Sequence, residues 1–420
     1  MDHRHSDNTD AVAMGGSDTH SPVIADARPS PRSLIALIVA PTLEVGAADA
    51  GAVELVRILA AGGHKPIVVS SGGRLAGDVV AAGGECVIVD MESQNPVIML
   101  RNALVLVRLV RERRCDVVHA HGRAAAWSAF LCARISGVPF VTTWHKGFRE
   151  QNLFKRLYNS VMARGIRVIA VSEQIAELVN DRYGTPWDRI VVVPASVDAG
   201  RFDPATVSQQ RIEAVRSAWG VGSGDKVILV AGRMLRRKGH HVVVQAMRRL
   251  KATGIKDLVC VFAAEDQGTR YAAELWDQVL ATETADVVRM SGPIDDLPAA
   301  YAAANVVVSA AVQPEGLQRA LLEAQAMARP VIVSELGAGT DVVLAPPAVP
   351  HDRMTGLRFA TGDDAALAAA LIQLFSLPES VQRAIGARGR AWVVEHFNAP
   401  AVSELTLKLY AGLAAPRIAA

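Results

Sequence analysis

The sequence predicts an α/β protein built of two doubly wound domains in tandem, each a parallel sheet covered by helices, with a cleft between them. Three observations carry that prediction. The chain has 420 residues, too many for one ordinary core, and half of them are hydrophobic. Short Val- and Ile-rich runs without polar alternation recur between segments of helical spacing, the pattern of strands buried on both faces. The rhythm begins at Leu34, breaks between Ala195 and Gly222, and then resumes.

Taken in order, residues 1–31 are polar, with Gly15-Gly16 and several His and Asp. They lack the apolar core of a signal peptide and read as a disordered tail. The first domain, 32–200, has candidate strands at Leu34–Ala40, Pro66–Ser70, Cys86–Val89, Asp116–His119, Phe140–Thr143, Ile166–Val171 and Ile190–Val193. Ala48–Ala61 and Val97–Arg114 between them have helical spacing. Residues 201–222, with Asp203-Pro204 and a polar stretch at Ser208–Gln210, read as the linker. The second domain, 223–397, repeats the pattern with strands at Lys226–Ala231, Leu258–Phe262, Val287–Met290, Asn305–Ser309 and Pro330–Val333. Helices are expected at Gly239–Leu250, Tyr271–Leu280 and Leu317–Met327. A last helix, about Ala399–Ala411 within 398–420, follows the complete second domain and is expected to pack back toward the first.

Composition narrows the function classes. No apolar run approaches the roughly 18 residues of a membrane-spanning helix. Cys86, Cys115, Cys132 and Cys260 are scattered without a C-x-x-C, as suits reduced, buried thiols in the cytosol rather than a disulfide framework or a zinc site. The formal net charge is only +2, but Met99–Ala170 holds 13 Lys/Arg against 3 Asp/Glu. The helix there carries Arg101, Arg108, Arg111, Arg113 and Arg114 beside Leu100, Leu104, Val107 and Val110. Arg149, Lys155 and Arg156 follow, interleaved with Phe148, Phe154 and Tyr158. Such a face is either solvated or attracted to anionic lipid; no nucleic-acid recognition module accompanies it.

Two groups of residues carry chemistry. Glu315 falls just before the expected helix Leu317–Met327, and Glu323 lies about two turns along it. Carboxylates so placed either cap and solvate a helix or grip the hydroxyls of a sugar-bearing nucleotide. Gly232 and Arg233 close one strand, and Lys238-Gly239 opens the next helix. A planar fork, a point charge and a glycine at such a junction make an oxyanion site or an ordinary basic loop. His119 and His121 have the spacing of a metal pair, but no acidic partner is identifiable, so no metal is expected.

Gly232-Arg233-x4-Lys238-Gly239, followed by Pro314-Glu315-x7-Glu323-Ala324, resembles the nucleotide-sugar site of the retaining family 4 glycosyltransferases, which adopt the GT-B fold of two Rossmann-like domains. Asp116-Val-Val-His-Ala-His121, Thr143-Trp144-His145-Lys-Gly, Ile169-Ala-Val-Ser172-Glu and Val193-Pro194 with Asp198 and Arg201-Phe202 keep the family's order from Leu34 to Phe397. The run from His121 to Ala129 resembles the bacterial lipopolysaccharide-type members.

The resemblance implies a hexosyltransferase-type enzyme with a nucleotide-sugar donor, a glycan or glycolipid acceptor and no cofactor. It implies that Arg233 and Lys238 hold the donor diphosphate and stabilise the leaving phosphate. Glu323 would hold the ribose, and Glu315 the donor sugar. Gly316, Leu317 and Gln318 would offer backbone N–H groups, and His145 would face the sugar from the first domain. Gly46 and His121 are the expected acceptor contacts. Transfer would proceed with retention by front-face attack, the two glutamates serving binding rather than the close carboxylate pair of a retaining glycosidase. The expected setting is the cytoplasm, including the inner face of the cytoplasmic membrane through region 99–170. Ala47, Ala264, Gln318 and Ala328 stand where the family commonly has glycine, which leaves a catalytically weak or inactive nucleotide-sugar-binding scaffold as the alternative.

Overall fold

The computed structural model describes residues 32–44, 46–147, 152–254, 257–264, 268–313, 317–337 and 339–414. The expected N-terminal tail lies outside them, as do Phe148 and Arg149 of the basic region and Glu315 and Gly316 of the expected site.

Two parallel sheets form. The first contains β1 (Ile35–Val39), β2 (Lys65–Ser70), β3 (Glu85–Ile88), β4 (Val117–His121), β5 (Phe140–Trp144), β6 (Arg167–Ala170) and β7 (Ile190–Val192), in the order β3-β2-β1-β4-β5-β6-β7. The second contains β8 (Lys226–Ala231), β9 (Leu258–Ala263), β10 (Val288–Ser291), β11 (Val306–Ser309), β12 (Val331–Ser334) and β13 (Gly356–Phe359), in the order β10-β9-β8-β11-β12-β13. This is the expected GT-B architecture. Every strand expected from the sequence is present, because a strand covered on both faces leaves a continuous apolar signature. β13 was not expected. It is a short edge strand whose Arg358 breaks the apolar run and turns back to donate to the carbonyls of Thr340 and Val343.

Alternate residues of each strand enter separate cores. Leu37, Val39, Val118 and Ala120 pack under helices Pro96–Arg113 and Arg123–Ser136. Ala36, Ile38, Val117 and Val141 face the first helix, Ala47–Ala61, and the closing helix, Ala399–Ala414. The closing helix therefore lies on the first domain, with Leu409 and Tyr410 in its core.

The linker reading of 201–222 needs correction. Ser208 accepts from Arg211 N–H and caps a helix, Gln209–Ala218, that belongs to the second domain. Arg211 forks onto Asp296 at 2.7 Å, and Trp219 and Val221 join the second core. Its polar outer face reads as linker, while Ile212 and Val215 pack inward. The chain instead crosses between domains near Val197, whose N–H donates to Phe397 at 2.8 Å beside a bridge to Asn398. Both crossings thus lie together.

Candidate functional site

In each sheet the strand order reverses between neighbouring strands, β1/β4 and β8/β11, and a crevice opens beyond their carboxyl ends. The two crevices share one cavity of about 550 Å³ between the domains.

The second domain supplies a basic wall. Gly232 follows β8 at φ 131°, with open space where a side chain would sit. A short turn, Arg236–Lys238, then delivers Lys238 to the cavity. Gly239 makes the turn possible: its φ is 73°, and a Cβ there would lie 1.7 Å from the Ala310 carbonyl oxygen. Burial, then the neighbouring Arg237, lowers the Lys238 ammonium pKa to about 8. Arg233 lines the same wall.

Opposite the basic turn stands the acidic helix, and here the expected start shifts. The helix runs Arg319–Ala326, with Gln318 extended before it. Gln318 is buried, and its Oε1 accepts from Ser309 Oγ at 2.6 Å, which draws the backbone out of helical conformation. Glu315 is therefore four residues ahead of the first helical residue rather than at its cap, and it lies outside the described residues. Glu323, one turn into the helix, accepts from the Tyr301 hydroxyl at 2.8 Å. Burial raises its carboxyl pKa; Tyr301, Arg319 and Arg201 pull the other way.

A histidine wall comes from the first domain. His119 and His121 project from one face of β4, and His145 follows β5. His121 Nδ1 and His145 Nε2 are hydrogen-bonded at 3.0 Å. His119 is held on both sides, by the Tyr410 hydroxyl and by Thr143 Oγ1, each at 2.7 Å. Burial lowers all three pKa values, that of His121 to about 4, so the wall is neutral at pH 7. The first helix passes so close that a Cβ on Gly51 would lie 2.5 Å from His145 Cε1. Gly46 occupies that helix's N-cap position. Among the described residues no group of three His, Cys, Asp or Glu could hold a metal ion.

Gly46, His121, His145, Gly232, Arg233, Lys238, Leu317, Gln318 and Glu323 thus line one cavity, and Ala47 and Ala264 line it too. Ala328 does not. It ends the acidic helix at φ 54°, so its alanine bears on helix termination rather than on a ligand. Sequence reasoning missed Tyr301, Arg319, Gly51, Val402 and Thr406, and quoted Thr143 only as part of a motif without a role; all are in the lining. Gly51 was findable as a glycine inside a helical pattern; Tyr301 and Thr406 carry no local signal.

Residues 49–201 match Glycosyltransferase Family 4, and residues 225–376 match Glycosyl transferases group 1. The chain belongs to the family 4 glycosyltransferases. Its fold agrees with that of the glycosyltransferase from Rickettsia africae, with a TM-score of 0.81 and 25% identity over 91% of this chain and 99% of that one. HepE from Anabaena, solved with UDP, shares the fold at a TM-score of 0.78 and 17% identity, covering 90% of this chain and all of that one. The D-inositol 3-phosphate glycosyltransferase of Pseudarthrobacter chlorophenolicus is 30% identical over 259 residues, 57% of this chain and 60% of that protein. This family 4 glycosyltransferase therefore spans about three-fifths of that relative's length.

Proposed function

We propose that this chain transfers a sugar from a nucleotide-sugar donor to a glycan or lipid-linked hydroxyl acceptor, with retention at the anomeric carbon. The observation that carries the reading is the single cavity in which a basic turn and a buried glutamate face a neutral histidine pair. Arg233 and Lys238 would hold the diphosphate; an arriving phosphate would return Lys238 to its full charge and stabilise the leaving group. Glu323, oriented by Tyr301, would accept from the ribose hydroxyls. The uncharged His121–His145 pair would hydrogen-bond the donor sugar without drawing the phosphate away. The UDP in the HepE structure supports a nucleotide donor by analogy of fold.

The bacterial envelope or lipopolysaccharide setting rests on the resemblance of the His121–Ala129 run. Association with the inner face of the cytoplasmic membrane rests on exposed Arg101, Arg108 and Arg111 on the same helix as exposed Leu100 and Leu104, and on the exposed Phe154 that follows in the basic region. Vesicle flotation tests it, and equal recovery on anionic and neutral vesicles would sink it.

One observation favours the scaffold reading. Ala47, Ala264 and Gln318 each put a Cβ on the cavity wall where the family commonly has glycine, and Gln318 is locked to Ser309. One experiment separates the two. Nucleotide release is measured from UDP-, GDP- and ADP-sugars, with and without a bacterial glycolipid extract, for the native chain, Lys238→Ala and Glu315→Ala. Acceptor-dependent release of one nucleotide, lost in both variants, with the product's anomeric configuration unchanged by NMR, supports the transferase. Binding without release under any acceptor supports the scaffold.

A further inference from the structure

The cavity does not end at the histidine pair. It continues into the first domain between two helices. Gly51, Leu55 and Ile58 line it from one face of helix Ala47–Ala61, and Val402 and Thr406 line it from successive turns of the closing helix. The two helices run side by side away from the cleft and meet at the far end. There Leu407 packs so tightly on Gly62 that a Cβ would lie 2.4 Å from Leu407 Cδ2. His119, Thr143, Ile169 and Val193 form the floor. The result is a chamber whose lining residue Ile58 lies about 10 Å along the helix from Gly51.

Its chemistry is aliphatic. Leu55, Ile58, Ile169 and Val402 are only 5–6% exposed, and that remnant faces this space. Most polar groups on these walls already have partners; the exception is His121 Nε2, buried beside His119 without one. His119 is bonded at both nitrogens, and Thr406 Oγ1 donates to the Val402 carbonyl at 2.8 Å. Glu54, on the same helix face one turn from both Gly51 and Ile58, is the charged group in the lining; its carboxylate accepts from Ser196 Oγ at 3.4 Å and pairs with Arg57. A sugar entering the chamber would find few hydrogen bonds to replace those it lost to water, whereas an aliphatic chain would lose none.

We propose that the chamber receives an aliphatic segment of the acceptor, carried next to the hydroxyl that attacks the donor, so that the acceptor is an amphiphile and not a plain sugar. The role of that hydroxyl rests on the transferase reading; binding in the chamber can be measured apart from it. The probes are methyl, butyl, hexyl and octyl β-glucoside, titrated calorimetrically below their micelle-forming concentrations. Affinity is expected to rise about fourfold per added methylene until the chamber is full. Val402→Trp, which fills the space, is expected to flatten that rise, with thermal melting showing that the variant is folded. Should it not fold, Thr406→Phe on the next turn makes the same test. Equal affinity across the series in the native chain, or an undiminished slope in the filled variants, would overturn the proposal. The two readings fail separately: chain-length-dependent binding with no turnover of any donor would remove the transferase and leave the chamber. Turnover onto plain sugars with no chain-length effect on binding would do the reverse.

Discussion

Glu323 owes its orientation to one hydroxyl. Tyr301 is 1% exposed, and its O–H is the only side-chain hydrogen bond described for that carboxylate. Removing the donor leaves a buried acceptor underserved, at a cost of about 1–3 kcal/mol. If Glu323 holds the ribose, Tyr301→Phe is expected to raise donor KM roughly tenfold with kcat nearly unchanged, because ribose is bound alike in ground and transition states. Steady-state kinetics checks this, and an unchanged KM would remove Glu323 from the donor site. The spacing of Glu315 and Glu323 was legible from the sequence. The tyrosine was not, since it reaches Glu323 only because helix Leu297–Ala303 packs beside helix Arg319–Ala326.

At the scale of elements, helix and strand ends decide where the chemistry sits. Gly239 can turn the chain because it has no Cβ to meet Ala310; sequence alone placed a glycine at that strand-to-helix junction but read it as an oxyanion site or a basic loop, not as a turn that requires glycine. Ala328 is the opposite case. It ends helix Arg319–Ala326 at φ 54°, a conformation that costs an L-residue about 1–2 kcal/mol. Its side chain is half-buried, so losing the methyl sacrifices little packing. Ala328→Gly is therefore expected to stabilise the protein by about 1 kcal/mol and to raise Tm by roughly 2–4 °C. Differential scanning calorimetry gives the answer; a lower Tm would show that the methyl contributes more than the strain costs.

At the scale of the whole molecule, the domains meet in a contact that gathers like charges beside a neutral hydrogen bond. Gln174 of the first domain donates to Thr340 of the second at 2.5 Å. Beside them Asp341 faces Glu173 and Glu177, with Arg358 as its cation. Burial first, then the two glutamates, raises the Asp341 pKa from 3.8 to about 6. A folded pKa above the unfolded one gives stability that is complete below about pH 4 and lost as pH rises through about 6. Asp341→Asn keeps the shape and removes the charge. Its stability advantage over the native chain is expected to grow from pH 5 to pH 8 by on the order of 1 kcal/mol, discounted for partial exposure. Urea unfolding at the two pH values measures it, and a pH-independent difference would place Asp341 outside the titrating contact.

What the sequence determined by itself is what local spacing encodes. Uninterrupted Val/Ile runs located the strands, and the Lys238-Gly239 junction located the start of one second-domain helix. Each signal resides within a few residues because a turn or a buried strand imposes its demand there. Only the tertiary structure decided which surfaces meet. Residues 209–218 read as linker until Ile212 and Val215 found the second core. Tyr410 reaches His119 across 291 positions, and Val402 and Thr406 reach the cavity only because the closing helix returns to the first domain. Those contacts are selected by the burial of whole faces, a sum over the entire chain that no short stretch carries.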